Sequence, residues 1–524
     1  MKPQAKRIFW NAMLLSVASL LMRTVGVSFQ VYLSNRVGEE SMGLFSLLSG
    51  VYGFALTLAT SGIHLGVTRL VVEAVGKGES GRVRSVMRKA TLYALFFGSL
   101  SSALLSLFAS PIGTYWLKDV RTVSSLRLLA ITLPLISLSS AWGGYFTAVR
   151  RTYKSAAVQV AEQALKIGFT MQLLAHVLPF GAEGTLCALV LGGALAEICS
   201  FFLEWLLYLC DKRKSFGRIT PLSPNGEGRA LMRISLPIAF TTYIRSALVT
   251  LQHILIPEGL RSSGASHTQA LVAYANIHSM ALPVILYPAA LIYSFSGLLV
   301  PEIAESTVQN ATRRIRSIIS RVWSLALLFS IGVSGILICF SQELGELLYP
   351  GTGAATYIRI LAPLVPIMYL DTATDAMLKG LGQQVYSMNV NILDALLSVI
   401  LVWTLVPRYG IDGYLVTVYV SELFNTVLSI TRLLCISRVQ VRLMKWIYGP
   451  LLCIVGATYS TRTLLRLINP YPSAPTALGL TLHCALALLL YLLLLLLTKS
   501  IGREELSWTR TLLWRRSDTS FSKE

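Results

Sequence analysis

Charge is scarce in this sequence: 13% of its 524 residues are Asp, Glu, Lys or Arg, against 54% that are hydrophobic. A water-soluble chain of this length needs more polar surface than that, so a soluble globular protein is excluded. Acid is the scarcer sign, with 25 Asp and Glu against 45 Lys and Arg. The six histidines are scattered and make no HExxH or similar spacing, which removes the usual metalloenzyme signatures. The seven cysteines, Cys187, Cys199, Cys210, Cys339, Cys435, Cys453 and Cys484, lie apart inside apolar runs and read as inert packing residues. No catalytic set, no metal site and no bound cofactor is expected.

What the chain has is apolar runs of about 20 residues, the length that crosses roughly 30 Å of hydrocarbon. About 14 such spans follow by this length rule, so the fold class is an all-α integral membrane protein. The first group runs Phe9 to Leu33, Leu44 to Leu65, Ala90 to Ile112, Leu126 to Ala148, Ala156 to Leu178 and Gly184 to Cys210. The second runs Leu231 to Ile256, Tyr274 to Leu299, Val322 to Ser341, Tyr357 to Met377, Val385 to Val406 and Gly413 to Leu434. Trp446 to Leu465 and Ala477 to Thr498 are two further spans without counterparts.

The expected organisation is a bundle of six helices over 1–210, a cytoplasmic linker over 211–230, a second such bundle over 231–435, two extra transmembrane helices over 446–498 and a basic cytoplasmic tail over 499–524. The N-terminus is basic and then apolar, like a signal peptide, but its apolar run is too long and is expected to stay as a helix. In the tail, Trp508, Leu512, Leu513, Trp514, Arg515 and Arg516 suggest a short amphipathic helix on the inner leaflet.

The net charge of +20 sits in alternate loops and not in one solvated domain, which argues against nucleic acid as a partner. One side carries Lys77, Arg82, Arg84, Arg88 and Lys89, then Arg150, Arg151 and Lys154, then Lys212, Arg213 and Lys214, then Arg313, Arg314 and Arg316. By the positive-inside rule that side, with both termini, is cytoplasmic in a multi-pass protein of a bacterial cytoplasmic membrane.

The two groups of spans repeat each other. Met22 to Leu33 matches Ile244 to Leu255, pairing Arg23 with Arg245 and Gln30 with Gln252. Leu126 to Ala130 matches Ile358 to Ala362, Pro134 falls on Pro366, Glu162 on Asp394, and Gly181 to Gly184 on Gly410 to Gly413. An even number of spans per half makes this a parallel repeat, for which substrate binding between the halves and alternating access are expected. Gly26, Pro237, Pro283 and Pro288 are places where spans can bend, although membrane helices also tolerate such residues without a role.

Charged residues inside spans are costly and mark candidate sites. Arg23 and Arg245 lie half way along theirs, too deep to snorkel, and with Gln30 and Gln252 they are the candidate substrate-binding residues of a cavity. A guanidinium fork suits phosphate or pyrophosphate oxygens; the competing explanation is a buried ion pair with Glu162, Glu197, Asp394 or Glu422. Glu162 and Lys166 stand four residues apart on one face, a candidate ion pair in the cavity. Asp394, with Asn391 one turn before it, is a candidate cation or proton site, whereas Asp371 and Asp375 read as solvated at the interface. Arg127 and Arg359 begin their spans and read as snorkelling anchors.

Leu21 to Gly26, LVPEIAE over Leu299 to Glu305, IRILAPLVP over Ile358 to Pro366 and VPRYGIDGYLVTVYVSE over Val406 to Glu422 resemble the multidrug/oligosaccharidyl-lipid/polysaccharide (MOP) flippase superfamily, in its polysaccharide transporter branch. The resemblance covers nearly the whole chain, lies with the sporulation-associated members and extends more distantly to the lipid II flippases. It implies translocation of a polyprenyl-pyrophosphate-linked saccharide, a peptidoglycan or other cell-envelope precursor, without ATP hydrolysis by this chain. Of the two first-span arginines of the lipid II flippases, Arg23 fits the first and Phe29 stands at the second. Their seventh-span sodium-binding aspartate is absent here, so Na+, H+ or the membrane potential each remain open as the driving force. The implied partners are the lipid-linked saccharide, membrane lipids and cell-wall synthesis proteins. Multidrug efflux is the alternative within transporters; cationic drugs would favour carboxylates over duplicated arginines. An integral-membrane glycosyltransferase or ligase is the alternative among enzymes, and the short outer loops argue against it.

Overall fold

The computed structural model describes residues 3–177, 181–215, 226–309, 311–468 and 476–498. The expected tail helix around Trp508 lies outside the described residues. Among them every regular element is a helix. In chain order these are α1 (Pro3–Val37), α2 (Glu39–Thr60), α3 (Ile63–Gly76), α4 (Ser80–Pro111), α5 (Arg121–Ala148), α6 (Thr152–Val177), α7 (Gly181–Ser215), α8 (Glu227–Ser262) and α9 (His267–Ala275). There follow α10 (Leu282–Leu286), α11 (Ala289–Val308), α12 (Thr312–Cys339), α13 (Ser341–Leu348), α14 (Ala354–Leu361), α15 (Val365–Gly380), α16 (Gln384–Ser437), α17 (Gly449–Ile468) and α18 (Ala477–Leu497). Ten helical stretches among the described residues are long and apolar enough to cross a membrane.

Two expected spans run together in α16, which is broken at Gly410, with φ 59° and ψ −134°. That conformation is open to glycine and closed to residues with a Cβ. A single non-helical residue therefore does the work of a loop.

The contacts divide the chain into two compact units. One comprises Arg36–Ala275 with Ala395–Ile411. Its core joins Ile63 and Val67 of α3, Val83 and Met87 of α4, Trp142, Tyr145 and Phe146 of α5, and Leu231 of α8. Since lipid is as apolar as a leucine side chain, helices in a membrane associate through close packing and polar contacts. Here Ser137 of α5 donates to the carbonyls of Ala59 and Ala94, at 2.8 Å each. At Gly98 an added Cβ would sit 2.8 Å from the Pro134 Cα, and at Gly192 it would sit 2.8 Å from the Thr170 Cα, so these glycines let α4 meet α5 and α6 meet α7.

The other unit comprises the described residues up to Asn35, Asn276–Asp394 and those from Asp412 onward. Its core gathers Trp323, Met377, Leu433, Trp446, Ile454 and Tyr491. Trp323 Nε1 donates to Thr374 Oγ1 at 3.1 Å. The two spans without repeat partners, α17 and α18, pack on α12: Tyr491 donates to the Leu328 carbonyl at 2.8 Å, and its ring lies over Gly332. Helix α1 falls in this unit, and its fixed points there lead to the site.

Candidate functional site

Proline has no N–H, so Pro288 breaks the helical ladder between α10 and α11. The Ala290 N–H, which would normally close on the Leu286 carbonyl, bonds Tyr287 O at 3.1 Å. Two carbonyls at the break find side-chain donors: Arg23 Nη2 donates to Leu286 O at 2.8 Å and Tyr369 Oη to Ile285 O at 2.7 Å. A turn away, Thr24 Oγ1 and Tyr287 Oη are 3.0 Å apart, and the Arg23 guanidinium lies 5.5 Å from the Tyr293 ring centroid. Gln30 Nε2 donates to Ser279 O at 2.8 Å, inside the π-helical turn Asn276–Ala281. Arg23 and Gln30 thus fasten α1 to irregular backbone. Half-buried Arg23 commits one N–H of the five that a guanidinium carries, and its others meet no acceptor among the described residues.

In the other unit, Ser246 Oγ donates to Thr57 Oγ1 at 3.2 Å and Thr250 Oγ1 to Gly50 O at 2.9 Å, and the two lie with Tyr243 on the face of α8 that meets α2. Arg245 lies off that face, exposed, with no carboxylate partner among the described residues. Half-buried Gln252 likewise makes no hydrogen bond among them. A guanidinium in the middle of the hydrocarbon costs about 3 kcal/mol even on the mildest scale.

The carboxyl groups cluster within each unit. Asp394 Oδ1 accepts from Ser421 Oγ at 2.6 Å, and Asn391 Nδ2 donates to Ser387 O at 2.8 Å. Asp371 and Asp375, expected to be solvated, are instead half-buried, because α16 covers α15: Asn425 donates to Asp371 at 3.1 Å, Ser387 donates to Asp375, and Lys379 pairs with Asp375 at 2.6 Å. Asp371, Asp394 and Glu422 lie within electrostatic reach of one another. Sequence reading missed Asp371, Asp375 and Glu422 as members of this cluster, although the i, i+4 spacing of the two aspartates was a visible signal.

Helices α6 and α7 hold the other cluster. Glu162, Glu197 and Lys166 lie within electrostatic reach of one another across the two helices, and Glu204 lies within reach of both glutamates. Ser155 Oγ donates to Glu204 Oε1 at 3.3 Å. The candidate pair of Glu162 with Lys166 thus stands beside two further carboxyl groups, Glu197 and Glu204. Among the described residues no three His, Cys, Asp or Glu side chains are arranged to hold a metal ion.

Between the spans ending at Trp116 and starting at Arg121, Asp119 accepts from the Arg121 backbone N–H and Nε, each at 2.9 Å. Arg121 also reaches Glu40 at 3.0 Å, and His267 Nε2 is 3.7 Å from Asp119. Burial alone would raise the Asp119 pKa, but the Arg121 hydrogen bonds and charge outweigh it and hold the carboxyl below its ordinary value.

Residues 8–305 match the model of the family described as polysaccharide biosynthesis protein. The chain belongs to that family. Residues 269–404 also match the MatE family model, and the two matches together place the chain in the MOP superfamily. Stage V sporulation protein B of Bacillus subtilis (strain 168) is 25% identical to this polysaccharide biosynthesis family member over 514 residues, 96% of this chain and 98% of that protein. Lipid II flippase MurJ of the same organism is 20% identical, over 82% of this chain and 83% of its own. Among solved structures, lipid II flippase MurJ in an inward closed conformation aligns at a TM-score of 0.69 and 12% identity, covering 94% of this chain and all 100% of that one. An inward-facing MATE multidrug resistance transporter aligns at 0.61 and 13% identity, covering 81% of this chain and 100% of that one. The chain is a multi-pass helical membrane protein with the transporter fold of these neighbours, and its named relatives are flippases, transporters and sporulation proteins, not enzymes.

Proposed function

We propose that the chain is a flippase that moves a polyprenyl-pyrophosphate-linked saccharide, a peptidoglycan or other cell-envelope precursor, across the cytoplasmic membrane by alternating access. The observation that carries this reading is the pair of repeat-related arginines. Among the described residues, Arg23 keeps most of its N–H donors without a protein acceptor and Arg245 has no protein counter-charge. Bidentate donors of this kind suit pyrophosphate oxygens. Similarity to stage V sporulation protein B and to lipid II flippase MurJ over most of the chain supports a lipid-linked saccharide as cargo and a role in sporulation. Gln30 and Gln252 are proposed as further contacts to the cargo.

The carboxyl clusters support coupling to a cation. Asp394 with Asn391, and the Glu162 to Lys166 group, are the proposed stations for a proton or Na+, with the membrane potential acting on the charged cargo. Both termini are proposed to be cytoplasmic, and enzymes that consume the flipped lipid are the proposed protein partners. The same clusters favour the second reading, efflux of cationic compounds as in MATE transporters, which would depend on the carboxylates and not on the arginines.

The two readings separate in proteoliposomes. Arg23→Ala and Arg245→Ala are each expected to abolish translocation of a polyprenyl-pyrophosphate saccharide while the protein stays folded in the membrane. Full activity of both variants, or transport of a cationic drug that ignores them, would replace the flippase reading with efflux.

A further inference from the structure

Within one compact unit, Arg23 and Thr24 of α1 touch the broken helix on both sides of Pro288. Before the break, Arg23 Nη2 holds the Leu286 carbonyl at 2.8 Å and Thr24 Oγ1 lies 3.0 Å from Tyr287 Oη. Thr24 gives its own proton to Leu20 O at 2.9 Å, so the Tyr287 hydroxyl is the donor in that pair. After the break, one turn into α11, the Arg23 guanidinium lies over the Tyr293 ring, 5.5 Å from its centroid.

The backbone that receives Arg23 is itself held. Tyr369, 0% exposed, donates to the Ile285 carbonyl at 2.7 Å and stacks on Phe329 with 6.1 Å between ring centroids. The carbonyl bonded by Arg23 is therefore next to one that is already fixed. Tyr293 is placed differently: it is 50% exposed, and its hydroxyl makes no hydrogen bond among the described residues. Its contribution there comes through the ring face.

An aromatic face attracts a guanidinium without neutralising it, as a carboxylate would, so the cation keeps its charge for an anion. A side chain ordered before its ligand arrives also loses less rotamer entropy on binding. We propose that Tyr293 is a positioning residue for the cargo, its ring holding the Arg23 guanidinium in place for the pyrophosphate while Leu286 O fixes one N–H. This role rests on Arg23 as a contact to the cargo and adds the residue through which that contact is ordered.

The test is binding of undecaprenyl pyrophosphate to the full chain in detergent, titrated by native mass spectrometry, with the melting temperature of each variant as the control for folding. Tyr293→Leu is expected to weaken binding about fivefold, and Tyr293→Phe, which keeps the ring, to bind within about twofold of wild type. Tyr293→Met, also ringless, serves if the leucine variant does not fold. The double variant Arg23→Ala, Tyr293→Leu is expected to bind no more weakly than Arg23→Ala alone, because the ring acts through the arginine. Wild-type affinity in Tyr293→Leu, with binding weakened in Arg23→Ala, overturns the positioning role and leaves Arg23 as a cargo contact. Equal losses in Tyr293→Leu and Tyr293→Phe also overturn it, since the hydroxyl and not the ring would then matter. Wild-type affinity in Arg23→Ala overturns the cargo contact, and the role of Tyr293 with it.

Discussion

Arg23 shows how a single side chain can hold the fold while committing only one of its donors among the described residues. Its bond to Leu286 O satisfies a carbonyl that the helix break at Pro288 leaves without its usual partner. An unsatisfied buried acceptor costs about 1 to 3 kcal/mol, so Arg23→Ala should lower the melting temperature in detergent as well as transport. Arg23→Lys keeps a donor and the charge but loses the fork, so it should recover most of the melting temperature while translocation stays about tenfold or more below wild type. Equal recovery of both would make the residue purely structural. This bond was not legible in the sequence, because its acceptor is a backbone carbonyl freed by a proline far along the chain. What the sequence did show is that Arg23 and Arg245 each interrupt an apolar run.

Asp119 gives a pH dependence with a definite sign. Its pKa is held below the unfolded value of about 3.9, so its stabilisation is fully present above that value and disappears as pH falls through the folded one. Wild type should melt above Asp119→Asn at pH 7, and the gap should close as pH falls below the ordinary carboxylate range. A constant gap at all pH values would mean that the carboxylate charge contributes nothing.

At the scale of elements, the helical state of the apolar runs follows from hydropathy, because no other open-ended structure satisfies the backbone in lipid. What hydropathy does not show is how the helices are interrupted. Val385 to Val406 and Gly413 to Leu434 read as separate spans, yet the chain passes from one to the other through Gly410 without a loop. Gly410→Ala should destabilise the protein by about 1 to 3 kcal/mol, seen as a lower melting temperature, because a Cβ is strained at that φ and ψ. An unchanged melting temperature would mean that the break can relocate. Glu162 illustrates the same limit: the spacing to Lys166 four residues on is visible in the sequence, but its nearness to Glu197 depends on how α6 lies on α7.

At the scale of the molecule, the all-helical membrane fold and the superfamily were legible from composition, repeat and motif. The assignment of α1 was not. Its described residues up to Asn35 belong to the unit that contains Asn276–Asp394, through contacts spanning more than half the chain, and no local pattern encodes such a pairing. Cargo is the property that composition reaches least, since two arginines specify an anion and not the sugar attached to it. The most direct test is native mass spectrometry of gently extracted protein, comparing wild type with the Arg23→Ala, Arg245→Ala double variant for lipids that co-purify. The flippase account predicts the mass of a polyprenyl-pyrophosphate saccharide on wild type and its loss from the variant. The same ordinary phospholipids on both, with no such mass on either, would contradict it.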